Sequence, residues 1–108
     1  MSGHRFTLEE AATAAVAEPS RYAAVFTHGT LELGLYAPAG SDPQQPHDRD
    51  EVYVVMAGTG HFRNGPTVEA FGPGDVLFVP AGVEHRFEDF TDDVQIWVVF
   101  YGPEGGEG

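Results

Sequence analysis

Gln45-Pro46-His47-Asp48-Arg49-Asp50-Glu51, running directly into Val52-Tyr53-Val54-Val55-Met56-Ala57-Gly58, is the stretch from which the fold is read. Gln45, His47 and Glu51 are separated by even steps. Side chains in an extended strand alternate faces, so that spacing predicts all three on one side. A neutral amide, an imidazole and a carboxylate on one face form part of a metal shell. One strand cannot close the shell alone, so a further ligand is expected from a neighbouring strand, and His85 is the candidate.

Outward from this stretch, short runs of period two alternate with turn signals. Tyr22 to His28 and Leu31 to Ala37 read as strands joined at Gly29, with Leu31, Leu33 and Leu35 alternating with Glu32, Gly34 and Tyr36. Pro38 to Pro46 reads as a loop. Glu51 to Ala57 is a strand dense in β-branched residues, and Gly58-Thr59-Gly60 turns it into His61 to Arg63. Asn64-Gly65 is a hairpin signal, because both residues tolerate positive φ. Thr67 to Phe71, Val76 to Val79, Glu84 to Phe90 and Val94 to Tyr101 complete a set of about eight strands, the pattern of an all-β barrel or sandwich. Ahead of them, Thr7-Leu8-Glu9-Glu10 reads as a capping box and Pro19 ends the Ala-rich run that follows, so a short helix is expected. Met1 to Arg5 carries no pattern and is expected to be loose. The division is an arm and helix over 1–21, a barrel over 22–101 and a flexible Gly/Glu-rich tail over 102–108.

The 108 residues suffice for one domain with one core. There is no cysteine, which excludes disulfides, zinc knuckles and thiol catalysis. Seventeen acids against five basic residues, all Arg, give a formal charge of −12. Such a chain repels phosphate backbones and anionic membrane, so neither nucleic acid nor membrane is expected as a partner. No apolar run reaches the ~20 residues that span a bilayer, and the start lacks a signal-peptide pattern; a cytoplasmic protein is expected.

Two stretches carry the chemistry: Gln45-x-His47-x3-Glu51-x6-Gly58 and Gly74-x5-Pro80-x-Gly82-x2-His85-x3-Asp89. Together they resemble the two motifs of the cupin superfamily. The second match departs only at Asp89, where the family has Asn. In the first, His47, Glu51 and Gly58 match, Gln45 stands where the family has a His, and Gly40 sits one residue closer to the ligands than the pattern wants. The resemblance covers Tyr22 to Tyr101. It implies a double-stranded β-helix, or jelly-roll, barrel with a divalent metal inside, held by His47, Glu51 and His85. Gln45 is either a fourth, weaker ligand or a partner for a metal-bound water or the substrate. The resemblance also implies a homodimer, and covering exposed β edges is an independent reason for one.

Two imidazoles and a carboxylate with open positions suit non-haem Fe(II), and the same set accepts Mn, Ni, Co, Cu or Zn. An open shell is of the catalytic type. The expected function is a metal-dependent enzyme on a small organic substrate, dioxygenase-like, with Tyr53 or Gln45 positioning substrate or relaying protons. The same residues serve an isomerase, lyase or cyclase, and a non-catalytic small-molecule-binding cupin is the reading of another class. Arg49 either binds a substrate carboxylate or, as favoured here, pairs with Asp48 or Asp50. Tyr36, Tyr53 and Trp97 are read as core aromatics that can line a pocket.

Overall fold

The computed structural model describes residues 3–108. Met1 and Ser2, part of the segment expected to be loose, lie outside the described residues; His4 and Phe6, nearby, place their rings 5.9 and 5.0 Å from that of Phe26. Helix α1 spans Leu8–Ala17. Its first turn is capped as the sequence predicts: Thr7 Oγ1 accepts from the Glu10 amide at 3.2 Å, and the hydroxyl donates to the Glu10 carboxylate. Its buried face is only alanine wide, Ala11, Ala12 and Ala15, which lets the helix lie close against a sheet.

Eight strands follow: β1 (Tyr22–His28), β2 (Leu31–Tyr36), β3 (Asp50–Ala57), β4 (Gly60–Asn64), β5 (Thr67–Phe71), β6 (Val76–Val79), β7 (His85–Glu88) and β8 (Gln95–Tyr101). They form two antiparallel sheets, one in the order β1-β2-β8-β3-β6 and one in the order β5-β4-β7. The protein is all-β, a jelly-roll barrel with one short helix outside it. The central strands β8 and β3 alternate cleanly. Ile96, Val98 and Phe100 face inward with Glu51, Tyr53 and Val55, and Phe62, Phe71 and Phe87 of the smaller sheet meet them.

The leucine face of β2 does not look into the barrel. Leu35 packs outward with Ala37 and Trp97 under α1, leaving Tyr36 to the interior. Both faces of this strand are covered, so alternation alone could not tell which was inside. Gly34 lies beneath the ring of Tyr22; a Cβ there would collide with that ring, and its absence lets Tyr22 cross the strand. At Gly58 two demands coincide: φ is +87°, and a Cβ would sit 2.7 Å from the Val94 Cα.

The C-terminal tail, expected to be flexible over 102–108, makes backbone hydrogen bonds to the barrel. Gly105 donates its amide to the Asp48 carbonyl at 2.7 Å, and Glu107 donates to Asp50 Oδ2 at 2.9 Å. Asp50 Oδ1 accepts from the Ala81 amide at 2.9 Å, so one buried carboxylate ties the start of β3 to both the tail and the turn before β7. The tail has no apolar anchor, which is why composition suggested fraying; its backbone donors find partners instead.

The Glu107 and Ala81 amides hold the Asp50 carboxyl below the usual carboxylate range. A depressed folded-state pKa contributes stability above the unfolded value that is lost as pH falls through the folded one. We expect Asp50→Ala, or acidification below the ordinary Asp range, to accelerate hydrogen exchange at the Glu107 amide before β8 opens. Unchanged protection there by NMR would show that the carboxylate does not hold the tail.

Candidate metal centre

His47, Glu51 and His85 converge inside the barrel. One ligand atom from each lies within 4.8 Å of the other two. Glu51 Oε1 is 3.3 Å from His85 Nε2 and 3.9 Å from His47 Nε2. Glu51 and His85 are each 1% exposed, whereas His47 is partly open. Each residue arrives on a different device. Glu51 is on β3, on the inward face its register with Phe100 imposes. His85 opens β7, and its Nδ1 lies 3.0 Å from the Val83 carbonyl. That carbonyl can accept a hydrogen bond from Nδ1–H, which leaves Nε2 to face Glu51. His47 sits on a loop whose carbonyl accepts the Gly82 amide at 2.7 Å. Gly82 has φ +80°, so the Pro80-Ala81-Gly82 turn of the second motif physically holds the histidine of the first.

The electrostatics are those of a cation site. Glu51 Oε1 is buried and makes no hydrogen bond within the protein. Its contact with His85 is close but lacks hydrogen-bond geometry. A buried carboxylate oxygen without a partner is costly. Burial acts most strongly on His85, downward, yet the Glu51 carboxylate, the Val83 carbonyl and Asp42 outweigh it and raise the imidazole. Burial lowers His47 more than Glu51 raises it. A divalent metal satisfies all three atoms at once, and the nitrogen and oxygen donors suit such an ion.

The loop before β3 departs from the sequence reading. Regular strand begins only at Asp50, and residues 42–47 have no strand pairing. The even spacing of Gln45, His47 and Glu51 therefore does not place them on one face. Gln45 is exposed and does not line the cavity; Gln44 points inward. Gln44 Oε1 lies 3.2 Å from Nε2 of both His47 and His85 and accepts from the Tyr53 hydroxyl at 2.9 Å. Pro43 and Pro46 flank the pair of glutamines, each lacking an amide hydrogen and restricting the residue before it. They were the available sign that strand alternation could not extend through this loop. Asp42, also passed over, is buried and bonds to Tyr36 and Gln44.

Tyr53 is fully buried, and burial, then the Glu51 charge, pushes its hydroxyl well above the ordinary range, so it stays protonated. Arg49 pairs with neither Asp48 nor Asp50. It donates to the Thr30 carbonyl at 2.6 Å, lies 3.7 Å from Glu32 and stacks its guanidinium 5.5 Å from the centre of the Phe100 ring. Tyr36 lines the cavity as foreseen, whereas Trp97 belongs to the outer cluster under α1. The cavity, about 560 Å³, is lined by His47 and Glu51 of this cluster together with Tyr22, Glu32, Arg49 and Phe100.

The cupin-domain family model matches residues 33–101. The chain belongs to the cupin family. An uncharacterized protein of Streptomyces coelicolor is 37% identical to this cupin over 101 residues, covering 92% of this chain and 96% of its own. A crystal structure of a protein of unknown function from Rhizobium leguminosarum superposes with a TM-score of 0.74 at 21% identity, covering 95% of this chain and 100% of that one. The Fe(II) form of HppE in complex with substrate superposes with a TM-score of 0.66 at 20% identity, over 78% of this chain and 55% of that one. At those identities the two structures establish the fold.

We expect purified protein to take up about one divalent ion per chain, with ligation releasing the His85 proton so that affinity falls as pH drops through the raised imidazole pKa. His47→Ala with His85→Ala should abolish uptake, and Glu51→Ala should weaken it severely. Equal metal content by elemental analysis in wild type and double variant would sink the assignment.

Proposed function

We propose that this cupin is a cytoplasmic metal-dependent enzyme acting on a small organic substrate, with dioxygenase-type chemistry. The observation that carries the reading is the orphaned, buried Oε1 of Glu51, a residue that lines a cavity large enough for a small metabolite. His47, Glu51 and His85 would hold the metal, Fe(II) first among the ions this donor set accepts. Such an ion, when bound, polarises a chelating carbonyl or enolate and, if redox-active, supports O2 chemistry. The fold of HppE, with Fe(II) and a substrate together, supports this reading as an analogy of architecture.

The chain's own side chains supply binding and orientation. Phe100, Tyr22 and Val98 offer apolar wall, while Glu32 and Arg49 offer polar contacts nearer the opening. Glu32 already accepts from the Tyr22 hydroxyl at 2.7 Å, which fixes that ring across the cavity. Tyr53 keeps its proton, which suits it to hold a hydrogen bond at the ligand cluster and not to act as a base. Glu51 and His85 sit where bulk water does not reach, so charge developing beside them is weakly screened.

Anaerobic loading with Fe(II), then exposure to O2 with 1,3-diketones or catechols, should consume oxygen in step with substrate. Substrate turnover without oxygen uptake would replace the reading with an isomerase or lyase. Absence of turnover with any metal would replace it with a non-catalytic binder.

We propose further that the protein is a homodimer built on the outer face of the larger sheet. Helix α1 covers that face over β1 and β2, with Trp97 of β8 at its edge, but on β3 and β6 the face continues as Val52 and Val54 beside Phe78 and Val76, which are paired in register and carry no charge. Val76 is 63% exposed and Phe78 48%. An apolar patch is the surface a second −12 chain can approach without charge repulsion at the contact. Sedimentation should give a dimer that Phe78→Glu with Val76→Glu converts to monomer; a monomeric wild type at micromolar concentration would end the proposal.

A further inference from the structure

Gln44 is held in a single orientation by partners on both ends of its amide. Nε2 donates to Asp42 Oδ2 at 2.7 Å, and the Gln44 backbone amide donates to Asp42 Oδ1 at 3.3 Å. Oε1 accepts from the Tyr53 hydroxyl at 2.9 Å. Reversing the amide would set an oxygen against the Asp42 carboxylate and a donor against a hydroxyl whose proton now points at it; the network admits one sense.

Asp42 is in turn fixed from both sheets. Its Oδ1 accepts from the Tyr36 hydroxyl on β2 at 2.7 Å, and its Oδ2 accepts from the Phe87 amide on β7 at 2.7 Å. The carboxylate spans the barrel and presents what remains of Oδ2 to Gln44. A carbonyl oxygen has two lone pairs, and Tyr53 uses one. The other faces the ligand cluster.

Three of the spacings there are those of a coordination shell, and the fourth, between Glu51 Oε1 and His47 Nε2, is longer at 3.9 Å. Two donors each about 2.1 Å from one ion stand about 3.0 Å apart across an octahedral edge and about 3.4 Å across a tetrahedral one. Gln44 Oε1 is 3.2 Å from His47 Nε2 and 3.2 Å from His85 Nε2, and Glu51 Oε1 is 3.3 Å from His85 Nε2. His85 Nδ1 is placed to donate its N–H to the Val83 carbonyl at 3.0 Å. In the neutral ring that ligation requires, its Nε2 lone pair meets an amide oxygen and a carboxylate oxygen, an arrangement of acceptors that a cation resolves.

We propose that Gln44, through Oε1, is the fourth protein ligand of the metal centre, and that Asp42 is a positioning residue that locks its amide in the ligating sense. This rests on the metal reading above and deepens it. The fourth donor is neutral, so a divalent ion would face one carboxylate and keep net positive charge, favouring anionic oxygen ligands from the substrate. Asp42 does for the amide what a carboxylate behind a ligating histidine does for its ring.

The test is Co2+ titration followed by visible absorption, whose band position and intensity report coordination number. Wild-type protein is expected to bind about one Co2+ per chain, Gln44→Leu to bind it about 10- to 100-fold more weakly with a changed spectrum, and Asp42→Asn to fall in the same direction. Because Asp42→Asn disturbs Tyr36 and Phe87 as well, the wild-type chain provides a second readout. Zn2+ should shift the Gln44 side-chain carbonyl resonance in 13C NMR while its amide protons remain protected by Asp42. An unchanged spectrum and an affinity within about threefold in Gln44→Leu, with Co2+ still bound by wild type, would overturn the proposal. An unshifted Gln44 carbonyl in Zn2+-loaded wild type would do the same. Failure of wild type to bind either ion would overturn it together with the metal reading, and is distinguished by that first titration.

Discussion

The Glu51 carboxylate is the constraint around which the interior is arranged. A charge taken out of water is tolerated only with close compensation. Here two imidazoles stand 3.3 and 3.9 Å from Oε1, and neither makes a hydrogen bond to it. The rest of the barrel keeps that polar cluster from collapsing. Tyr53 and Phe87, packed ring to ring at 5.0 Å, close it from below, and Phe100 leans against His47 at 4.9 Å.

Three carboxylates do three different jobs within a few residues of the chain. Glu51 faces the centre. Asp50, next to it but on the other side of the strand, accepts two backbone amides and fastens the turn and the tail. Asp42 bridges the two sheets and orients Gln44. In composition they are interchangeable contributions to a strongly acidic chain; what separates them is which donors the fold brings within reach. Acidity that looked like a solubility device is partly internal structure.

The spacing of the two motifs is likewise mechanical. Pro80-Ala81-Gly82 places a backbone amide on the His47 carbonyl, and the same turn gives the Ala81 amide to Asp50. The turn therefore positions the loop histidine and the start of the strand that carries Glu51. Three residues after Gly82, His85 opens β7 and enters the barrel. A ligand set assembled from a loop, one strand of each sheet and a turn that ties them is sensitive to the relation between sheets, which is also what Asp42 holds.

The sequence by itself determined the strand set, the cap on α1 and the tight turns, because each sits in a local pattern of period two, at a capping box or at a glycine that a positive φ requires; His47, Glu51 and His85 were recognisable as candidates from residue type and motif spacing. Gln44 and Asp42 lie in a Pro-interrupted loop with no period, where adjacent glutamines are equivalent until the chain's path is known, so Gln45 was chosen on an alternation that the loop does not obey. The tail, the inner face of β2 and the partners of Arg49 were hidden for a related reason. Each depends on contacts between residues far apart in the chain, and only the closed barrel brings those residues together.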